Sequence, residues 1–372
     1  MNPYQQPMST TTQRKNSRQT AKKTVHTADL LRLIASRTAP YDMTVWFWGD
    51  AIACDGLLEA AELGDFQPAR RQVEQAFGNW MGKQLGWVDY LTPGGALLHL
   101  HRLTENTALL EAARHLATHL VEKFPKARGG VHLFRPDLPA HRHSVWIDSL
   151  YHVPTLFAAL SRKTGDPAYA AIAVEVLRTH LRVLQSKRGP LLAHSYDVAA
   201  EMLKGYGWGR GQGWALLGMV DTLSHLDSET PGYAETAGKF LALCEATLVL
   251  QDASGFWRTL MHDREAYLES STAAFLGAAY TKGCRLGLLP GKYAVSAELA
   301  WRAMLSRVDE RGGLSGVSSV TWSWVSNLEE TTMYKSLPTE MNLWGQGAAL
   351  RFCAERIRSG LSSPALVKPL PA

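Results

Sequence analysis

From residue 27 onward the chain alternates between apolar stripes of helical period and short polar turns. Tyr169, Ile172, Ala173, Val176, Leu177 and His180 form one such stripe, spaced to share a single helix face. Five turns punctuate the stripes: Leu63-Gly64-Asp65-Phe66, Thr104-Glu105-Asn106, Thr164-Gly165-Asp166-Pro167, Thr230-Pro231-Gly232-Tyr233 and Leu289-Pro290-Gly291-Lys292. Gly suits the left-handed residue that closes a helix, Asp or Asn the next N-cap, and Pro167 a first helical turn. The turns lie roughly 40 to 65 residues apart, one helical hairpin plus a loop each. A short helix at about 27–37 and a last one over about Asn342–Arg358 bring the total to roughly twelve. Strand-like runs are few, near 129–134, 255–260 and 313–325. The pattern predicts an all-α fold, a toroid of six hairpins or (α/α)6 barrel. In such a toroid the inner helices start at one rim, so residues at their N-termini line a common cleft.

Composition narrows the picture. The chain has 372 residues, 46% hydrophobic and 20% charged, as expected of a globular protein with a large core. Residues 26–372 are expected to form a single catalytic domain, and residues 1–25 a disordered basic leader. Much of the net charge of +5 lies in that leader, at Arg14, Lys15, Arg18, Lys22 and Lys23. The body is then near neutral, which argues against a nucleic-acid surface. Met1 to Tyr41 has no apolar core of a secretory signal, and no apolar run reaches membrane-spanning length. Cys54, Cys244, Cys284 and Cys353 stand far apart, without CxxC or Cys/His ligand spacing. No disulfide framework is expected, and a reducing, cytoplasmic setting fits.

The candidate chemistry sits at helix starts. Trp146-Ile147-Asp148 precedes the apolar helix Leu150–Leu160, and Trp87-Val88-Asp89 precedes the Pro93-Gly94 turn and the next helix. Either Asp alone would serve as a helix cap. Two Trp-x-Asp starts one hairpin apart point to a shared cleft. There a close carboxylate pair would split its pKa values into one proton donor and one anion. His194-Ser195-Tyr196-Asp197 and Trp208-Gly209-Arg210-Gly211-Gln212-Gly213-Trp214 add a histidine, an arginine and two indoles. The glycines of the second run do not make a phosphate loop, since no Lys-Ser/Thr follows. Tyr41, Trp46, Trp48 and Trp344 are further aromatics near helix starts. Carboxylates move protons, indoles stack on sugar rings, and arginine grips anions.

Taken together these runs resemble the unsaturated rhamnogalacturonyl hydrolases of glycoside hydrolase family 105, with the unsaturated glucuronyl hydrolases of family 88 as close relatives. The resemblance spans about residues 44–358. It is carried by Asp89–Gly94, Trp146–Tyr151, His194–Asp197, Trp208–Trp214, Tyr267–Ala274 and Lys282–Gly287. It implies an (α/α)6 barrel that removes a terminal 4,5-unsaturated uronic acid from lyase-generated oligosaccharides, with no metal and no organic cofactor. Asp148 then matches the general acid/base and Asp89 its partner carboxylate. Trp146, His194, Arg210, Trp208 and Trp214 become substrate-binding candidates, Arg210 for the uronate carboxylate. Four places depart from the family's runs: Tyr90 for Asn, Gly95 for Arg, His152 for Met, and the segment Arg135–His143. Tyr90, Gly95 and that segment are expected to fall at subsite contacts. Two other readings stay open: an epimerase using His99, His101 and His194, and a non-catalytic carbohydrate-binding toroid.

Overall fold

Six helices close an inner ring in a computed structural model of the chain, which describes residues 23–43, 46–321, 330–361 and 365–367. They are α2 (Trp48–Leu63), α4 (Gly94–Thr104), α6 (Ser149–Thr164), α8 (Gly209–His225), α10 (Ser270–Arg285) and α13 (Leu343–Arg358). Each packs on the next, and α13 packs back on α2. An outer set lies against them: α1 (Thr27–Thr38), α3 (Gln67–Trp80), α5 (Thr107–Thr118), α7 (Pro167–Leu184), α9 (Tyr233–Leu248) and α11 (Lys292–Leu305). This is the expected six-hairpin toroid, with one further short helix, α12 (Glu330–Ser336).

Sequence explains the two layers. Fourteen of the sixteen α10 residues are buried, against eight of eighteen in α7, so the inner helix is covered nearly all round and the outer one along a stripe. Glycines let inner helices approach closely. A Cβ on Gly56 of α2 would meet Leu350 Cβ at 2.6 Å, and one on Gly347 of α13 would meet the Ile52 backbone at 2.7 Å. The five turns fall where expected. Glu105 and Gly165 take left-handed φ of 56° and 73°, and Asn106 and Asp166 accept from the N–H two residues on.

Those five turns join the ends of α2, α4, α6, α8 and α10 to the starts of outer helices. All inner helices therefore end at one mouth of the ring and begin at the other, where longer loops return the chain. Short antiparallel ladders stiffen these loops: β2 (Ser144–Trp146) with β3 (Ser195–Asp197), β3 with β4 (Met202–Lys204), β5 (Trp257–Arg258) with β6 (Leu268–Glu269), and β7 (Val317–Ser318) with β8 (Thr339–Glu340). The strand expected near 129–134 is reduced to a single bridge, Lys126 to His132.

The leader expected over residues 1–25 needs a correction at its end. Lys23–Val25 form a strand, β1, paired antiparallel with β9 (Ala365–Val367). The pairing is main-chain and spans nearly the whole chain, so local composition does not reveal it. Residues 1–22 lie outside the described residues.

Candidate active site

The β2–β3 ladder brings the two central runs together. Trp146 pairs with Ser195, and the Ile147 N–H donates to the His194 carbonyl at 2.9 Å. Asp148 follows at the N-cap position of α6, with no side-chain capping bond. Its Oδ2 has no hydrogen-bond partner and lies 3.9 Å from His194 Nε2, likewise unpartnered. The Trp146 ring meets His194 edge-on at 4.8 Å, and the Trp208 ring lies tilted against it at 3.9 Å. Phe134 stacks flat on Trp146 at 4.4 Å, which fixes the indole. The indole N–H groups of Trp146 and Trp208 are buried without acceptors.

Burial sets the protonation of this group. Asp148 is 2% exposed, and loss of hydration raises its pKa to about 7, with Arg210 pulling the other way. Burial also holds His194 well below the ordinary imidazole range, with Arg210 adding to the effect. The Asp148–His194 approach has ion-pair distance but joins two groups that both favour their neutral forms. It is thus a polar contact between neutral partners, capable of holding and releasing a proton near neutral pH.

Arg210 sits in the first turn of α8, sandwiched between Trp208 and Trp344 at 4.9 and 5.2 Å. Both terminal nitrogens are already engaged: Nη1 donates to the Ser318 carbonyl and hydroxyl, Nη2 to the Ser319 carbonyl at 3.1 Å. Glu269, the N-cap of α10, accepts the Ser318 N–H at 2.8 Å from the other side. The fork expected to grip the uronate carboxylate is thus set on protein groups in this structure. Its fork anchors the end of β7 at Ser318 and the adjoining Ser319, and its charge acts on Asp148 through space.

Asp89 departs from expectation in another way. It lies in a 3-10 turn over Trp87–Leu91, where Oδ1 accepts from Trp80 Nε1 at 2.7 Å and Oδ2 from the Gly86 N–H at 2.6 Å. The rise at Asp148 comes from burial, which Arg210 opposes, and Asp89 is not among its causes. The anticipated splitting between two carboxylates is therefore not what tunes the acid. Trp214 is fully buried one turn further along α8, against Tyr151 at 5.1 Å and Phe275 at 4.5 Å, apart from the Trp146–His194–Trp208 group.

Two of the departures have definite places. Tyr90 is 1% exposed and stacks on Phe124 at 4.6 Å, with Ser149 and Asp148 near enough to act on its hydroxyl. Gly95, in the first turn of α4, faces Asp55 and Thr155 inside the ring and lines the inner part of a cavity of about 530 Å³ that runs to the mouth where the inner helices end. Paired charges fill its walls, with Lys282 on Asp221, Arg285 on Glu355, and Arg351 on Asp221 and Asp55. His99 and His101 line this same cavity, far along α4 from His194, so the three histidines do not form one cleft. There Glu59, Glu62 and His99 offer atoms close enough for a metal, but Arg102 and Arg358 already neutralise the two carboxylates.

Sequence reading missed Tyr334, whose hydroxyl lies 2.7 Å from His194 Nδ1. No local signal marks a residue 140 positions away. It also missed Asp50 in the first turn of α2, a second acid raised by burial to about 7, whose Oδ2 accepts from the Phe47 N–H.

The model of Glycosyl Hydrolase Family 88 matches residues 17–360. The chain is 29% identical to the unsaturated rhamnogalacturonyl hydrolase YesR of Bacillus subtilis (strain 168) over 338 residues, which cover 88% of this chain and 93% of that protein. Its fold is similar to that of a possible member of the GH105 family from Salmonella enterica serovar Paratyphi A, with a TM-score of 0.79 and 20% identity over 89% of this chain and 93% of that one. It is also similar to the unsaturated glucuronyl hydrolase of Bacillus sp. GL1, which degrades glycosaminoglycan, with a TM-score of 0.69 and 16% identity over 90% and 96% of the two chains.

Proposed function

This chain belongs to glycosyl hydrolase family 88, and we propose that it removes a terminal 4,5-unsaturated uronic acid from lyase-generated oligosaccharides. Similarity to YesR along nearly the whole chain supports the rhamnogalacturonyl type. One observation carries the reaction: a buried carboxyl, Asp148, raised by burial to about 7 and facing a neutral imidazole that two indoles pack against.

The double bond and ring oxygen of the substrate form a vinyl ether. Asp148 gives its proton to C4, which leaves an oxocarbenium at C5. The Asp148 carboxylate then takes a proton from water as the water oxygen bonds to C5, restoring the acid. The hemiketal opens at its C5–O5 bond to a ketone. C1 is left as a hemiacetal, which releases the second sugar. Ordinary glycoside hydrolysis instead places its two carboxylates about the anomeric carbon. His194 Nε2 and the Trp146 and Trp208 N–H groups are the proposed contacts for substrate oxygens, and the indole faces its stacking surface. Trp214 supports the floor. Asp89 is the proposed second carboxylate, a fixed acceptor on the turn that packs at the start of α6. A reducing, cytoplasmic location belongs to the proposal on the strength of four unpaired cysteines. Among the described residues no helix is long and apolar enough to cross a membrane.

The test is ultraviolet absorbance of the conjugated C4=C5 carboxylate. Purified protein is mixed with lyase digests of rhamnogalacturonan, of glycosaminoglycan and of other uronate polymers, with D148N as control. Loss of absorbance on the first digest, absent in D148N, is the expected outcome. Loss on a different digest would reassign the substrate class. Binding without loss on any digest would make the protein a carbohydrate-binding toroid.

A further inference from the structure

His194 has two ring nitrogens with opposite surroundings. Nδ1 meets the Tyr334 hydroxyl at 2.7 Å, and Nε2 faces Asp148 Oδ2 at 3.9 Å with no hydrogen-bond partner. Both His194 and Tyr334 are fully buried. Gly205, at φ 68°, lies directly over the pair: a Cβ there would stand 2.2 Å from the Tyr334 hydroxyl and 2.5 Å from His194 Cβ. The backbone is thus shaped so that the two side chains meet. A phenol is a good donor and a poor acceptor, while an unprotonated imidazole nitrogen is a strong acceptor. The bond therefore runs from the Tyr334 O–H to Nδ1, and the ring proton is left on Nε2.

We propose that Tyr334 is a positioning residue that locks His194 in its Nε2–H tautomer, so that the imidazole is a fixed donor aimed at Asp148 Oδ2 and the substrate. The inference rests on the reading of Asp148 as the acid and adds a rule for its proton. With an N–H facing Oδ2, a carboxyl proton on that oxygen would point hydrogen at hydrogen. The transferable proton is held on Oδ1 instead. Once it has gone to C4, Nε2–H stabilises the new carboxylate on the oxygen it already faces.

The experiment uses the full chain with ¹⁵N-labelled histidine. Two-dimensional ¹⁵N–¹H spectra of the resting protein distinguish the two neutral tautomers and the imidazolium, without substrate. Wild type is expected to show His194 as Nε2–H, assigned by loss of the signal in H194Q. Y334F, which removes only the hydroxyl, is expected to shift His194 to a tautomer mixture. Its kcat should fall roughly 10- to 100-fold with KM within about twofold of wild type. A wild-type Nδ1–H tautomer or imidazolium, an unchanged tautomer in Y334F, or an unchanged kcat would each overturn the proposal. Failure of the parent reading looks different: wild type itself would leave every unsaturated uronate intact, whatever its tautomer.

Discussion

Asp148 and His194 approach to 3.9 Å across the start of α6, acid oxygen to ring nitrogen, and the same burial that brings them together keeps both neutral. Removing hydration disfavours the charged form of each, so a carboxyl rises and an imidazole falls. The outcome is a protonated acid near neutral pH beside a base that does not compete for its proton.

The first consequence is kinetic. D148N should lose about 10²- to 10⁴-fold in kcat while keeping its fold, since the amide fills the same space. Turnover of the absorbing substrate, with circular dichroism as the folding control, checks this. Full activity in a folded D148N would remove Asp148 from the mechanism.

Stability should follow pH with a definite sign. The Asp148 pKa is raised in the folded protein, to about 7 from 3.8, so its contribution is fullest below about pH 4 and is lost as pH rises to about 7. Asn in its place does not titrate. D148N should therefore gain on wild type as pH rises across that window, by roughly 2–4 kcal/mol at pH 8. Denaturant unfolding at pH 5 and pH 8 measures it, and equal differences at both would contradict the assignment.

The rate profile ties Arg210 to the acid. Activity should fall as pH rises past about 7, as Asp148 ionises. Arg210 lowers the Asp148 pKa, so R210M should move that limb to higher pH, while R210K keeps the charge and moves it less. Both variants lose the fork on Ser318 and Ser319, so a shared fall in stability is expected. Identical limbs in R210M and wild type would show that the charge does not reach Asp148.

Asp89 predicts a structural penalty. Both its oxygens accept, from Trp80 and from Gly86, and an Asn there must set its NH₂ against one donor. D89N should cost about 1–3 kcal/mol in unfolding free energy. A variant that loses activity at unchanged stability would instead argue that the carboxylate acts directly on substrate.

Helix approach at the start of α6 can be tested at Gly218. A Cβ there would lie 2.1 Å from the Leu150 carbonyl oxygen, two residues beyond Asp148. G218A should destabilise the protein by roughly 1–3 kcal/mol or more and lower kcat by displacing α6. A thermal midpoint equal to wild type would mean that the ring tolerates wider spacing.

How far the sequence reaches can be judged residue by residue. The five turns, the short α1 and the start of α13 at Asn342 were legible, because caps and left-handed closures depend on a few neighbouring side chains. The toroid was legible too, since the turns recur about one helical hairpin apart. Trp146, Asp148, His194 and Trp208 stood out as runs at helix starts, and the fold gathers them through the β2–β3 ladder.

Tertiary structure alone decided the partners. Arg210 read as a grip for the uronate carboxylate and Asp89 as the partner carboxylate of Asp148, and only the fold shows Ser318 and Ser319 on the Arg210 fork and Trp80 and Gly86 on the Asp89 oxygens. Gly95 read as a subsite position, and only the ring shows that it faces Asp55 and Thr155. Tyr334 was invisible, joined to His194 across 140 residues. The physical reason is range. Helix propensity, capping and periodicity act over a turn or two of chain, whereas desolvation and hydrogen bonding to a buried group depend on whatever the fold packs beside it. Sequence by itself determined which groups stand at the mouth of the ring, and the packing decided which of them hold a proton and which hold the walls.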